Sequence, residues 1–304
     1  MFRVFPYTLP LHRPLDLARG IRITERKGVL IHNPECDGWG DAAPLPGFSQ
    51  ESLDEVLEVL QMQNPDTHAF PSLRFACECA SERFRIPEKP VPVNALWIMS
   101  AETPSAFLNR IEKWRHPVAK IKPGAQPDPD AICEVLLQRP DLRIRLDGNR
   151  QWSVEQTLEL HRRIPASCLE YFEEPLRDPE DYSRLWAREE VPLALDESLL
   201  LPEGRRLAEH PSVKALILKP TLLGDSGDRA AWIEMAEVRS LKLVWSSCFE
   251  SGVGLWQLAN LASSTTAAGL DTGGIFVRDV VEPRPLSVCG SLSASVPKVK
   301  ISGS

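Results

Sequence analysis

Leu142-Arg-Ile-Arg-Leu-Asp147, Leu169-Glu-Tyr-Phe-Glu173, Pro192-Leu-Ala-Leu-Asp196 and Val213-Lys-Ala-Leu-Ile-Leu-Lys219 decide the fold. Each is a short apolar, β-rich run that ends on an ionisable residue. Outward from this block the same grammar continues. Val91-Pro-Val-Asn-Ala-Leu-Trp97 and Val118-Ala-Lys-Ile-Lys122 precede it, Leu241-Lys-Leu-Val-Trp-Ser246 follows, and a weaker run lies near Ala267-Ala-Gly-Leu-Asp271. The polar ends are evenly spaced: 25 residues from Lys122 to Asp147, then 26 to Glu173, 23 to Asp196, 23 to Lys219 and 28 to Ser247. Helix-like segments fill the gaps at 129–138, 154–164, 179–188, 225–238 and 250–262, with Ser153 as an N-cap. Strands alternating with helices over short connections are parallel βαβ units. A unit of about 25 residues repeated some eight times predicts a TIM-type barrel. A doubly wound sheet would have no reason to finish five strands in a row with a polar group, whereas a barrel brings every strand end to one mouth.

The first 90 residues read differently. Mixed segments over 20–33 lead into a turn-rich stretch, Gly38-Trp-Gly-Asp-Ala-Ala-Pro-Leu-Pro-Gly-Phe-Ser49, and helices are expected at 50–61 and 72–83. The expected organisation is an α+β capping domain over 1–90 and a barrel over 91–284, with 285–304 packing back on the cap. The chain has 304 residues, 43% hydrophobic and 25% charged, with a net charge of −7. That composition suits a globular protein. It supplies no general attraction for nucleic acid or an anionic membrane surface. No run of about 18 apolar residues predicts a membrane span, and no signal peptide is read at the start, so a cytoplasmic protein is expected. Seven scattered cysteines and six dispersed histidines build no zinc or disulfide pattern. Hydrolase elbows and glycine-rich phosphate loops are absent. The oligomeric state cannot be read.

Alternation along each strand places side chains i and i+2 on one face. Lys120 and Lys122 therefore point together, as do Arg145, Asp147 and Asn149, then Tyr171 and Glu173, then Ala194 and Asp196, then Ile217 and Lys219. One mouth thus collects two lysines, three carboxylates on consecutive strands, and a third lysine. Like charges converging in a crowded site repel unless a cation lies between them. Hard oxygen donors with room for water and substrate suit Mg²⁺, with Mn²⁺ as a possible substitute. A lysine near a dication and other lysines can serve as a base near neutral pH. A base beside a metal able to hold an enediolate is the layout for removing a proton α to a carboxylate.

Lys120-Ile-Lys122, Arg145-Leu-Asp-Gly-Asn149, Glu173-Glu-Pro175, Asp196-Glu-Ser198 and Lys219-Pro-Thr-Leu-Leu-Gly224 together resemble the ordered motif set of the enolase superfamily, in its muconate-lactonizing branch. Within it, Trp39-Gly-Asp-Ala-Ala-Pro-Leu-Pro-Gly-Phe-Ser-Gln50 is similar to the capping loop of the o-succinylbenzoate synthase family, and Ser246-Ser-Cys-Phe-Glu-Ser251 and Gly269-Leu-Asp-Thr272 agree with it. The resemblance, over roughly residues 1–290, implies a (β/α)7β modified TIM barrel with an N-terminal α+β capping domain. It implies Mg²⁺ on Asp147, Glu173 and Asp196, and a small anionic carboxylate as substrate. The implied reaction is syn-dehydration of 2-succinyl-6-hydroxy-2,4-cyclohexadiene-1-carboxylate in menaquinone or phylloquinone biosynthesis. Lys122 would be the base, Lys219 the cation on the opposite face, and Lys120 a neighbour that tunes Lys122. Arg145, Ser246 and Ser247 would bind substrate, and Asn149 would support the ligands. The alternatives are an N-acylamino acid racemase or dipeptide epimerase with the same lysine pair and, remotely, a non-catalytic barrel. Pro123 and Gly148 depart from commoner residues in relatives. Cys248 is expected to be a buried bystander, and Glu174 and Glu197 to alternate away from the site.

Overall fold

The computed structural model describes residues 2–17, 20–62, 67–262, 266–292 and 298–300. The N-terminal part is an antiparallel sheet in the order β1 (Arg3–Asp16), β2 (Arg22–Asn33), β3 (Gly38–Ala42). Helices α1 (Leu53–Val59) and α2 (Pro71–Ala80) cover one face of it. Val29, Ile31 and Ala42 from the strands meet Val56, Val59, Leu73 and Ala76 from the helices in a small closed core. Ser52 and Glu55 start α1 with a reciprocal capping box. The turn-rich reading of 38–49 needs correction at its start, because Gly38–Ala42 pairs with β2. Intrinsic propensity disfavours a glycine-rich strand, but packing overrides it. A Cβ on Gly40 would lie 1.9 Å from the Ala76 carbonyl oxygen, so only glycine lets α2 come this close to the sheet.

Seven parallel strands follow: β4 (Ala95–Ile98), β5 (Val118–Lys122), β6 (Arg143–Asp147), β7 (Leu169–Glu173), β8 (Leu193–Leu195), β9 (Val213–Leu218) and β10 (Lys242–Trp245). They lie side by side in sequence order. Closure comes from the weak 267–271 run, reduced to parallel bridges: Ala268 pairs with Val93 and Gly269 with Ser246. Helices α3 (Pro104–Ile111), α4 (Pro129–Gln138), α5 (Val154–Arg163), α6 (Tyr182–Trp186), α7 (Gly204–Ala208), α8 (Pro220–Leu223), α9 (Ser226–Arg239) and α10 (Gly252–Leu261) connect them. This is the (β/α)7β barrel, with the antiparallel unit as its cap. The sequence reading missed α3, α7 and α8. For α3 a signal was present: Thr103 caps the Ala106 N–H and Pro104 takes the first helical position.

Strand alternation partitions the barrel. Ile144, Leu146, Phe172, Leu193, Leu195, Leu216 and Leu218 face the helices in one continuous core. Tyr171, Ala194, Ala215, Ile217 and Val244 fill the interior. Small residues there leave room for the long charged side chains above them. The C-terminal segment divides. Val93 donates to the Gly290 carbonyl and Arg115 to that of Cys289, which places 289–292 against the barrel, while Val299 packs in a cluster with Leu9, Leu11 and Phe276. Residues 293–297 and 301–304 of the segment expected to fold back lie outside the described residues. No helix among the described residues is long and apolar enough to cross a membrane.

Candidate active site

The C-terminal ends of β5 to β9 bring six of the expected residues together. Lys120 Nζ lies 2.5 Å from Glu173 Oε1 and 2.8 Å from Asp147 Oδ2, and Lys122 Nζ lies 3.1 Å from that same Asp147 oxygen. On the far flank Lys219 pairs with Asp196, and Glu197 Oε1 stands 3.8 Å from its Nζ. Asp147, Glu173 and Asp196 are each no more than 5% exposed. Lys122, at 24% side-chain exposure, is the most open of the three lysines, whose others are at 8% and 12%. It is therefore the amine most open to the mouth.

Burial alone would discharge Lys120, yet the Asp147 and Glu173 carboxylates outweigh it and hold the ammonium well above the usual lysine range. Lys219 is raised against its own burial in the same way, by Asp196 and Glu197. Burial pushes the Asp147 carboxyl up, but Lys120 and Lys122 reverse this and hold it below the usual aspartate range. Asp196 goes the other way. Burial, reinforced by Glu197 and Glu173, pushes it well up despite Lys219. The carboxylates are thus undersupplied with positive charge on the Asp196 side.

Among the described residues no three histidine, cysteine or carboxylate side chains already close around a cation. Ammonium groups stand between the acids instead, with Lys120 touching both Asp147 and Glu173. By chemistry the acids nevertheless fit a hard dication. They are oxygen donors from adjacent strand ends, buried, and in excess. Four carboxyl groups, Asp147, Glu173, Asp196 and Glu197, stand here against three amino groups, Lys120, Lys122 and Lys219.

Asn149 serves both neighbours: its N–H donates to Asp147 Oδ1 at 3.0 Å and its Oδ1 accepts from Lys122 at 3.3 Å. It does so at φ +43°, a left-handed conformation that asparagine tolerates better than most residues. Arg145 is a correction. It points inward, as expected, but down. Its guanidinium is held by Glu170 (2.7 Å), Asn94 (3.2 Å) and the Ala267 carbonyl (2.7 Å), all at the opposite end of the strands. An irregularity in the β6–β7 register, where Ile144 pairs with Leu169 but Arg145 with Tyr171, admits Glu170 beside it. Alternation could not foresee that. Ser246 continues the inward face of Val244, and its Oγ would lie 2.5 Å from a Cβ on Gly269. Ser247 Oγ shares a hydrogen bond with Thr272 Oγ1 at 2.8 Å.

Glu174 is fully buried and holds the end of β8. It accepts from the Asp196 and Ser198 N–H groups and the Ser198 hydroxyl, all at 2.8 Å, and burial together with Glu197 pushes its carboxyl up to about 7. Glu197 was expected to turn away. It does not, because β8 ends at Leu195 and a 3-10 turn over Glu197–Leu200 breaks the alternation. Cys248 is buried, with burial and Glu250 raising its thiol, and it makes no nucleophile. The cap closes over the Lys219 flank: Phe48 lies beneath the Lys219 ammonium at 5.9 Å, and Leu45, Leu222 and Cys248 pack with it. The sequence reading missed the polar seam behind this wall. Asp41 accepts from the Ser251 N–H (2.9 Å), the Ser251 hydroxyl (2.7 Å) and Tyr7 (2.8 Å), while Glu250 accepts from the Cys248 N–H and Thr221. Asp41 and Ser251 join cap to barrel through space, and nothing in their spacing announces it.

Comparison with known proteins addresses the family. Residues 105–292 match the family model described as enolase C-terminal domain-like, and residues 1–84 match that of the MenC N-terminal domain. The chain is 32% identical to o-succinylbenzoate synthase of Klebsiella pneumoniae, over 94% of each chain, and 33% identical to that of Yersinia pseudotuberculosis, over 93% of each. Among solved structures it resembles MenC of Desulfotalea psychrophila (TM-score 0.74, 22% identity, 96% of this chain and 99% of that one). It also resembles a dipeptide epimerase of Methylococcus capsulatus (TM-score 0.75, 21% identity, 97% and 96%), a likeness of fold. With the motif-bearing strand ends, the closed barrel and relatives above 30% identity along nearly the whole length, the chain belongs to the o-succinylbenzoate synthase family of the enolase superfamily.

Proposed function

We propose that the protein is a lyase that removes water from 2-succinyl-6-hydroxy-2,4-cyclohexadiene-1-carboxylate to give o-succinylbenzoate, a step toward menaquinone. The observation that carries the reading is the unbroken row across β5 to β9, in which two lysines, three buried carboxylates and a third lysine meet at one mouth. Asp147, Glu173 and Asp196 would hold Mg²⁺, with Mn²⁺ as a substitute, and the dication would neutralise charge that develops on the substrate carboxylate. Lys122, as a free amine, takes the α-proton. The ring electrons expel the hydroxyl group on the same face, and Lys122 returns the proton to it, so that water leaves and the amine is regenerated. Lys219 stays an ammonium on the other flank, held so by Asp196 and Glu197. Lys120 pairs with both Asp147 and Glu173 and holds the Asp147 carboxyl low. Asn149 aims both Lys122 and Asp147. Ser246 and Ser247, on the adjoining strand end, are offered to the substrate's carboxylates. We also assign 1–90 to the cap and 91–284 to the barrel, a division supported by the core that β2, β3, α1 and α2 close among themselves, while Phe75 of α2 packs into the barrel core.

Chelator-treated protein is given the cyclohexadiene substrate with and without Mg²⁺ while the diene absorbance is followed. Rapid Mg²⁺-dependent loss is expected. A folded protein that leaves the diene untouched at saturating Mg²⁺ would refute the reaction.

A further inference from the structure

Arg26 is an anomaly of the capping sheet: a guanidinium on β2 that is only 2% exposed. Among the described residues it forms no hydrogen bond to a carboxylate. Its Nη1 donates to the carbonyls of Lys27 (3.0 Å) and Pro44 (2.8 Å), and its Nη2 to the carbonyls of Ala43 and Cys248 (3.4 Å for the latter). Beyond Lys27, its neighbour on β2, the acceptors belong to two different walls of the mouth. Ala43 and Pro44 open the capping loop that places Leu45 and Phe48 against the Lys219 flank. Cys248 directly follows Ser246 and Ser247 at the end of β10. The loop's other hydrogen bonds among the described residues are internal, Leu45 N–H to Ser49 Oγ and Phe48 and Ser49 N–H to the Leu45 carbonyl, while Leu45 and Phe48 pack with Leu222 and Cys248. The second segment is also tied to the barrel by the Ser246 and Ser247 N–H groups to the Leu218 and Gly269 carbonyls and by Ser247 Oγ to Thr272, and further on by the Cys248 N–H to Glu250 and by Ser251 to Asp41. Burial raises both of those acids, and the Arg26 charge works against that rise.

We propose that Arg26 is a positioning residue: one buried guanidinium that clamps the 43–49 loop carrying Phe48 to the 246–251 segment carrying Ser246 and Ser247, so that the two walls of the mouth are set as a unit. Lysine cannot reproduce this. It keeps the buried positive charge but lacks the planar fork that serves several carbonyls at once. The inference rests on the proposed reaction for its kinetic consequence and not for its structural one, so the two are tested separately.

The structural test is amide hydrogen exchange on full-length wild type and Arg26→Lys, a variant chosen to keep the charge facing Asp41 and Glu250. Exchange should quicken together in 43–49 and 246–251, by about tenfold, the worth of one net hydrogen bond, while α2 is unchanged. Unchanged exchange in either segment overturns the clamp, whatever the substrate proves to be. The kinetic test uses the cyclohexadiene. Arg26→Lys should raise KM about tenfold with kcat within about twofold, because the walls bind the ground and transition states alike. With Phe48→Ala already present, adding Arg26→Lys should cost little more, since both changes disable one wall. Additive losses, or an unchanged KM below the melting temperature, would assign Arg26 to stability alone and overturn the proposal.

Discussion

Lys120→Met exposes the charge logic of the site most directly. The Lys120 ammonium is 2.5 Å from Glu173 and 2.8 Å from Asp147, and those carboxylates are 1% and 4% exposed. Methionine keeps the volume of the stem and removes the charge. Lys122 still reaches Asp147, but Glu173 loses its ammonium partner. Breaking a buried pair by deleting one member costs about 3–5 kcal/mol, because the other charge stays out of water without compensation. For a chain of this size that is a fall of about 10 °C in melting temperature. The assay is thermal unfolding in a chelating buffer at neutral pH, repeated with saturating Mg²⁺. The deficit should be full with chelator and should shrink with Mg²⁺, since a dication on the carboxylates replaces the missing charge and binds only the folded state. A variant melting within about 2 °C of wild type in chelator would refute the reasoning, as would a deficit that Mg²⁺ leaves unchanged.

Lys122→Ala should lower kcat by about a thousandfold while its melting curve stays near wild type, because that side chain is the partly exposed one; more than about a tenth of wild-type rate would remove it as the base. Acid stability should follow Asp147. Its folded carboxyl is held below the ordinary value, so its contribution is present above about pH 4 and is lost as the pH falls further. Urea titrations between pH 6 and 3 should show that loss in wild type and a smaller one in Lys120→Met. Gly148→Ala should destabilise by about 1–3 kcal/mol, since the new Cβ would sit 2.6 Å from the Pro175 Cα, a backbone atom that cannot swing aside. Denaturant midpoints decide this, and an unchanged midpoint would mean that the β6 and β7 ends separate freely.

The legible part of the protein was its barrel. A strand alternates its faces every two residues and a βαβ unit has a narrow range of lengths, so the regular spacing of Lys122, Asp147, Glu173, Asp196 and Lys219 determined both the architecture and the six groups at its mouth. Those inferences needed no knowledge of what lay across the barrel. The tertiary structure decided whatever depends on groups far apart in sequence or on a break in alternation. Arg145 turned to the floor because a register irregularity put Glu170 beside it, and Glu197 turned toward Lys219 because β8 had already ended. Gly38–Ala42 became a strand because α2 approaches to a distance only glycine permits. Arg26 and Cys248 are 222 residues apart and meet only because the cap is seated on the barrel. Periodicity is a property of one segment. A hydrogen bond across two folded parts belongs to neither segment, and so only their packing could reveal it.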